Sequence, residues 1–245
     1  MLVAIIPARG NSRGVKKKNI KKIGNRTLID WAIDLANESE LVDLTVLSTD
    51  DTEVVRNSKS FAIYEKQFQM LPVGAFLKVS NNKGLHKRRP EHATSQSRTI
   101  ETILDIFNVV KLRETDLILL LQPTSPFRKS SEIVAIKQLI EKNKSKSVVS
   151  AKLFDSPHPG KAIKVSNEKL IIDKDTLKNL SAPRQSLPEY YVFDGAFYLS
   201  YVENVIKSKS LISDDTSIFI REGSKTVNID NELDFAFAQN IYNSL

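Results

Sequence analysis

The chain has no cysteine. That excludes disulfides, a thiolate nucleophile and any zinc site built on Cys ligands. Histidine is almost as scarce: His86, His92 and His158 are scattered, which argues against a His-based metal site. Aromatic residues make up only 7 % of the 245, inside a hydrophobic total of 41 % that is ordinary for a globular protein in water. No apolar run approaches the ~20 residues needed to span a bilayer. The first apolar run opens at Leu2 without a charged n-region, so the reading is no signal peptide, no membrane partner and a cytoplasmic location. Internal repeats and low-complexity tracts are also missing.

One stretch lacks acidic residues altogether. The first 29 residues carry eight basic side chains and no Asp or Glu, whereas the remaining residues hold 28 basic against 29 acidic. The formal charge of +7 is therefore local, and a local excess points to a site. Most of these cations flank a glycine-containing loop, Arg9-Gly10-Asn11-Ser12-Arg13-Gly14, directly after the apolar run Leu2–Ala8. Such a loop can turn backbone N–H groups inward, with Gly10 and Gly14 supplying φ > 0. The expected guest is polyanionic, a nucleoside triphosphate.

At this length the chain buries about 70–75 % of its unfolded surface, which suits one α/β domain over 1–245 with an added lobe. Leu2–Ala8 is continuously apolar, as in a strand buried on both faces. A helical stripe follows over Thr27–Asn37, then a strand at Leu44–Ser48 and a short helix through Val54 and Val55. Thr99–Val110 repeats the helical period, Leu117–Leu121 is a further strand, Ser131–Glu141 a helix and Ser147–Ala151 a strand. The order predicts a doubly wound, mostly parallel sheet with helices on both faces. Phe61–Pro90 has no steady period and reads as a long loop or added hairpin. Lys152–Asp194, rich in Pro, Lys and Asp, reads as a protruding lobe with a small strand pair near Ala162–Val165 and Leu170–Ile172. Thr226–Ile229 reads as a strand and Glu232–Tyr242 as the closing helix.

Ligands of open parallel sheets sit beyond the carboxyl ends of the strands. Three polar clusters fall there: Arg9–Asn19, Ser48–Asp51 and Gln122–Ser125. Ser48-Thr-Asp50 equally suits a helix N-cap, and Gln122-Pro-Thr-Ser-Pro126 a rigid turn.

The residues then resemble a known family. Ile6-Pro-Ala-Arg-Gly-Asn-Ser-Arg-Gly-Val-Lys-Lys-Lys-Asn19 is similar to the opening signature of the cytidylyltransferases that make CMP-sialic acid and its relatives, Ala-Arg-x-x-Ser-Lys-Gly-x-x-x-Lys-Asn. The likeness continues at Arg89-Pro90, Leu121-Gln-Pro-Thr-Ser-Pro-Phe-Arg128, His158-Pro-Gly-Lys161, Pro183-Arg-Gln-Ser-Leu-Pro188, Asp194-Gly-Ala-Phe-Tyr198 and Ile229-Asp-Asn-Glu-Leu-Asp-Phe235. These blocks come in the family's order and cover nearly the whole chain. The resemblance implies a Rossmann-like nucleotidyltransferase fold whose lobe pairs two chains as a homodimer. It implies a reaction between CTP and the anomeric hydroxyl of a 2-keto sugar acid, with Mg²⁺ as cofactor and pyrophosphate as product. It places Ala8, Arg9, Gly10, Ser12, Arg13, Lys18, Asn19 and Arg89 around the nucleotide. Arg9, Lys18 and Asp230 would be catalytic. Gln122, Lys161, Arg184, Gln185, Asp194 and Tyr198 would face the sugar acid, and Asp230 with Asn228 the metal.

The chain departs from the family at several positions. Asn228-Ile229-Asp230 stands where two aspartates usually alternate, so one carboxylate is an amide. Arg13 replaces a Lys, Gln96 an Asp, and Asp194 an Asn found in many members. The stretch around Tyr64–Lys87 is longer than usual. Other readings are a weakly active nucleotide-binding relative, motivated by Asn228, and a nucleotidyltransferase acting on a sugar 1-phosphate. A nucleic-acid binder fits poorly, because the basic stretch lacks interleaved aromatics.

Overall fold

The computed structural model describes every residue except Asn11, Arg13, Ser95, Asp155, Ser224 and Lys225. The chain begins with β1 (Leu2–Pro7), followed by the short ribbon β2 (Lys22–Ile23) and β3 (Arg26–Thr27) and by α1 (Leu28–Glu38). Thr27 caps α1, its hydroxyl accepting the Asp30 N–H at 3.1 Å, which fixes the helix start one residue beyond the expected one. Next come β4 (Leu44–Thr49), α2 (Thr52–Arg56), α3 (Glu65–Met70) and the hairpin β5 (Phe76–Ser80) and β6 (Lys83–Lys87). Then follow α4 (Thr99–Val110), β7 (Leu117–Leu120), α5 (Ser130–Asn143) and β8 (Ser147–Leu153). The lobe holds β9 (Lys164–Ser166), β10 (Lys169–Ile171) and α6 (Lys174–Ser181). The chain returns through β11 (Tyr191–Tyr201), α7 (Val202–Ser208), β12 (Thr216–Ile220) and α8 (Glu232–Asn243).

One eight-stranded sheet runs in the order β12-β8-β11-β7-β1-β4-β6-β5. Alternation along β1 explains its two-sided burial. Leu2, Ala4 and Ile6 pack into the layer of α1 and α5, while Val3 and Ile5 face α4 and α7. Burying each such Ile stabilises the fold by about 1.5–3 kcal/mol before entropy is counted. A third, smaller cluster brings together Val15, Ile23, Leu28, Val227, Ile229, Phe235, Ala238 and Ile241. It seats the basic loop and the 227–229 segment on α8.

The sheet is mostly parallel, as expected, with β11 antiparallel to both β7 and β8 and β5 antiparallel to β6. The structure revises three other expectations. The segment 226–229 is no strand: Val227 and Ile229 alternate as a strand would, but they bury against α8 instead of joining a ladder. The edge strand is β12, parallel to β8. The aperiodic stretch 61–90 does form a hairpin, yet β6 is also a full sheet member, parallel to β4. Finally, residues 152–153 and 191–194 belong to β8 and β11, so the lobe outside the sheet is narrower than 152–194.

Candidate active site

Because β1, β4, β6 and β7 run parallel, their carboxyl ends share one edge of the sheet. The loops that leave β1, β6 and β7 meet the 228–230 segment around a cavity of about 440 Å³, and the loop after β4 braces the first of them. Arg9, Ser12, Gly14, Lys18 and Asn19 line it from the first loop, Arg88 from the end of β6, and Gln122 and Thr124 from the end of β7. Ser97 and Thr99 close one side; Asn228 and Asp230 close another.

The basic loop is held from both ends. Ala8 extends the β1 ladder by donating its N–H to the Ser48 carbonyl at 2.8 Å. Gly10 donates its N–H to Asp50 Oδ1 at 3.0 Å, and Asn19 Nδ2 donates to the Arg9 carbonyl at 2.8 Å. Lys18 Nζ donates to the Ile229 carbonyl at 2.7 Å and lies 3.7 Å from Asp230 Oδ1. Arg9 Nη1 donates to the Thr94 carbonyl at 2.6 Å. The glycines serve a purpose other than the expected one, since neither Gly10 nor Gly14 has positive φ. Gly14 is required by close approach: a Cβ there would meet the Asp230 carbonyl oxygen at 1.8 Å. Arg13 lies outside the described residues.

Burial lowers the Lys18 pKa from its ordinary value of 10.5, against the opposing pull of Asp230 and with a further push down from Arg9. Burial likewise lowers that of Arg88, opposed by Asp50. Arg88 is only 5 % exposed and its Nε has no hydrogen-bond partner among the described residues, so a cation is held ready at the cavity wall. Arg89, the neighbour singled out from sequence, is turned away. Its Nε donates to both Asp105 carboxylate oxygens, at 3.0 and 2.8 Å. The signal for Arg88 was the Lys87-Arg88-Arg89 cluster, but only the end of β6 decides which member faces the cavity.

Asp50 and Asp51 divide the labour expected of the Ser48–Asp51 cluster. Asp51 caps α2 by accepting the Glu53 N–H at 2.8 Å, while Asp50 braces the loop. Ser48 Oγ meets the buried His86 Nδ1 at 2.9 Å. Burial depresses the His86 pKa from 6.5 to about 4, despite Asp105 nearby. The folded state thus holds His86 neutral while the unfolded chain protonates below pH 6.5. Its stabilisation, up to about 3 kcal/mol, is complete above pH 6.5 and lost as pH falls towards 4. A His86→Gln variant should therefore show a flatter decline of Tm across that window than the parent chain in thermal melts.

The other expected acceptor-side residues separate into groups. Gln122 lines the cavity. Tyr198 packs into the apolar layer beside α4 and α7, where burial raises its hydroxyl pKa. Asp194 is buried and engages Ser150, the Ala196 N–H and Arg221. Lys161 donates to the Ala182 carbonyl at 3.1 Å within the lobe. Arg184 and Gln185 line a different cavity, of about 390 Å³, with His158 and Tyr190. The described residues include no cluster of three or more His, Cys, Asp or Glu able to hold a metal, and no helix long and apolar enough to cross a membrane.

A family model described as cytidylyltransferase matches residues 3–73. The CMP-N,N'-diacetyllegionaminic acid synthase of Legionella pneumophila is 28 % identical to this chain over 245 residues, covering 98 % of it and 95 % of the relative. The N-acylneuraminate cytidylyltransferase of Escherichia coli is 26 % identical over 238 residues, 97 % of this chain and 51 % of the relative. In fold, the chain is similar to CMP:2-keto-3-deoxy-manno-octonic acid synthetase complexed with CTP, with a TM-score of 0.64 at 12 % identity over 99 % of this chain and 98 % of that one. A 4-diphosphocytidyl-2C-methyl-D-erythritol synthase superposes with a TM-score of 0.58 at 14 % identity, covering 98 % of both chains. The segment that the family model spans supplies β1, its basic loop and β4, the side of the cleft richest in cations. The chain is thus similar to cytidylyltransferases in sequence along nearly its whole length, and it shares their fold.

Proposed function

We propose that this chain joins CTP to the anomeric hydroxyl of a 2-keto sugar acid, giving a CMP-sugar and pyrophosphate. The observation that carries the reading is the convergence of Arg9, Lys18, Asn19 and Arg88 with Gln122, Asn228 and Asp230 on one cavity. In this reaction the acceptor oxygen attacks the α-phosphorus, the bond to the bridging oxygen of the β-phosphate breaks, and pyrophosphate leaves. Such a transfer needs positioning and charge neutralisation rather than a covalent intermediate. Arg9 and Lys18 meet the phosphates, with charge-assisted hydrogen bonds of about 1.5–3 kcal/mol each. Arg88 and Asn19 hold the remainder of the nucleotide, and Gln122 offers both amide edges to the acceptor.

The 228–230 segment fits a hard divalent cation. Asn228 Nδ2 donates to Asp230 Oδ2 at 2.7 Å, whereas Asn228 Oδ1 is a buried oxygen with no hydrogen-bond partner among the described residues, so a turn of the amide would set that oxygen beside Asp230. Two protein oxygens suit Mg²⁺, which takes its other positions from phosphates and water. When bound, it would neutralise developing charge on the phosphoryl oxygens.

A homodimer is part of the reading. The lobe exposes Ile163, Val165, Leu170, Ile171, Leu177 and Leu180, and α6 buries no residue in its own chain. A second copy would cover these side chains and bring Arg184 and Gln185 towards its cleft. Leu177→Asp should yield a monomer by light scattering where the parent chain is a dimer; a monomeric parent chain would contradict the pairing.

Two measurements test the chemistry. CTP titration calorimetry should show at least about tenfold weaker binding for Arg88→Ala, the loss of one charge-assisted contact, and near-parental binding for Arg89→Ala. Pyrophosphate release with CTP, Mg²⁺ and a panel of 2-keto sugar acids should identify an acceptor. Release only with sugar 1-phosphates would favour the other nucleotidyltransferase reading.

A further inference from the structure

The wall of the cleft beside Gln122 and Asn228 is built on a defect in β11. The register of β11 against β8 shifts between Phe193 and Tyr198, and Gly195 within this bulge has φ +73°. A Cβ at Gly195 would lie 3.2 Å from Asn228 Oδ1 and 3.5 Å from Gln122 Oε1. The bare backbone of the bulge therefore touches two residues of the cleft. A strand does not leave its ladder without other partners for the freed groups.

Those partners are charged and buried. Asp194 Oδ1 accepts from the Ser150 hydroxyl and from the Ala196 N–H at 3.1 Å, while Ser150 Oγ accepts the Phe197 N–H at 2.8 Å. Arg221 Nη1 donates to Asp194 Oδ2 at 2.8 Å, and Nε donates to Glu132 Oε1 at 2.7 Å. Arg221 is itself held by the Phe127 carbonyl at 2.8 Å. Arg128 Nη1 donates to the Ala196 carbonyl at 2.9 Å from the other side. Two guanidinium groups thus face two carboxylates, Asp194 buried and Glu132 18 % exposed at the rim, and a buried cation left without its anion is strongly destabilising.

We infer that Arg221 and Asp194 are positioning residues, an ion pair that fixes the Gly195 bulge against Gln122 and Asn228 and so sets the acceptor side of the cleft; this rests on the cytidylyltransferase reading proposed above. Asp194 spends its carboxylate on the scaffold, and the acceptor meets the two cleft residues that the bulge backs, Gln122 and Asn228. The residue at 194 and the residue at 221 form a coupled choice, with Asp requiring a cation and a neutral side chain requiring none.

The test compares Asp194→Asn, Arg221→Met and the double variant with the parent chain, by steady-state kinetics and by amide hydrogen exchange at Ala196 and Phe197. Arg221→Met should raise the KM for the sugar acid by about tenfold or more while leaving the KM for CTP within about twofold, and the double variant should recover much of the loss because it removes both charges. Exchange at Ala196 should speed up in both single variants. Equal effects on both substrates, or additive losses in the double variant, would overturn the proposal. So would faster exchange at Ala196 with an unchanged acceptor KM. If the parent chain turns over no 2-keto sugar acid, the functional reading fails first, and the acceptor assignment with it. Exchange at Ala196 then decides the remainder: unchanged protection in Asp194→Asn would show that the pair does not hold the bulge.

Discussion

Asp230→Ala should abolish pyrophosphate release while the chain remains folded, and Asn228→Asp should preserve or raise it. Asp230 is exposed, and among the described residues its carboxylate reaches only Asn228 and Lys18, so its loss opens no core cavity. What disappears is the carboxylate proposed to hold a divalent ion, and such an ion would be the largest local charge in the cleft. Restoring a second carboxylate at 228 adds attraction to an ion that the triphosphate already holds. The expected gain is largest at low Mg²⁺, and a Mg²⁺ titration of both variants reads it directly. A loss with Asn228→Asp would mean that the amide serves a different contact, through its N–H₂ or through its buried oxygen beside Gly195.

Lys18→Ala should lower turnover by about a hundredfold or more, the loss expected when a preorganised donor is removed from developing charge. The geometry singles out Lys18 because it joins the two halves of the cleft, bonding the Ile229 carbonyl from the first loop. Its depressed pKa sets the sign of a pH effect. The ammonium is charged below that pKa and neutral above it, so CTP affinity should decline as alkaline pH rises, at lower pH than an ordinary lysine would impose. Titration calorimetry across alkaline pH checks it, and Lys18→Ala should flatten the profile. Gly14→Ala should also impair CTP binding, since its Cβ cannot coexist with the Asp230 carbonyl.

Much of this cleft is legible in the sequence because strong local signals coincide with it. β1 announces itself by continuous apolarity, and α4 begins and ends at the expected residues, Thr99 and Val110. The basic loop is visible because its charge is unbalanced by any acid in the first 29 residues. Other parts depend on neighbours that no window contains. β6 reads Lys-Gly-Leu-His-Lys, with one strongly apolar residue, and becomes a strand because β4 offers it a ladder. Without that strand, Arg88 and Arg89 cannot be told apart. β12 was hidden for a related reason: Ile218 and Ile220 remain exposed at the sheet edge, while the more persuasive alternation of Val227 and Ile229 belongs to the cluster on α8. Asp194 read as an acceptor contact because its neighbours match a family block, whereas the buried Arg221, 27 residues later, draws it into the scaffold.

The central claim is that this cleft transfers the cytidylyl group, and phosphorus NMR of a single reaction tests it most directly. CTP, Mg²⁺ and a 2-keto sugar acid incubated with the parent chain should lose the three triphosphate resonances and gain one phosphodiester signal together with pyrophosphate. The same mixture with Asp230→Ala should remain CTP. Unreacted CTP across the whole panel of 2-keto sugar acids, or equal conversion by Asp230→Ala, would contradict the account.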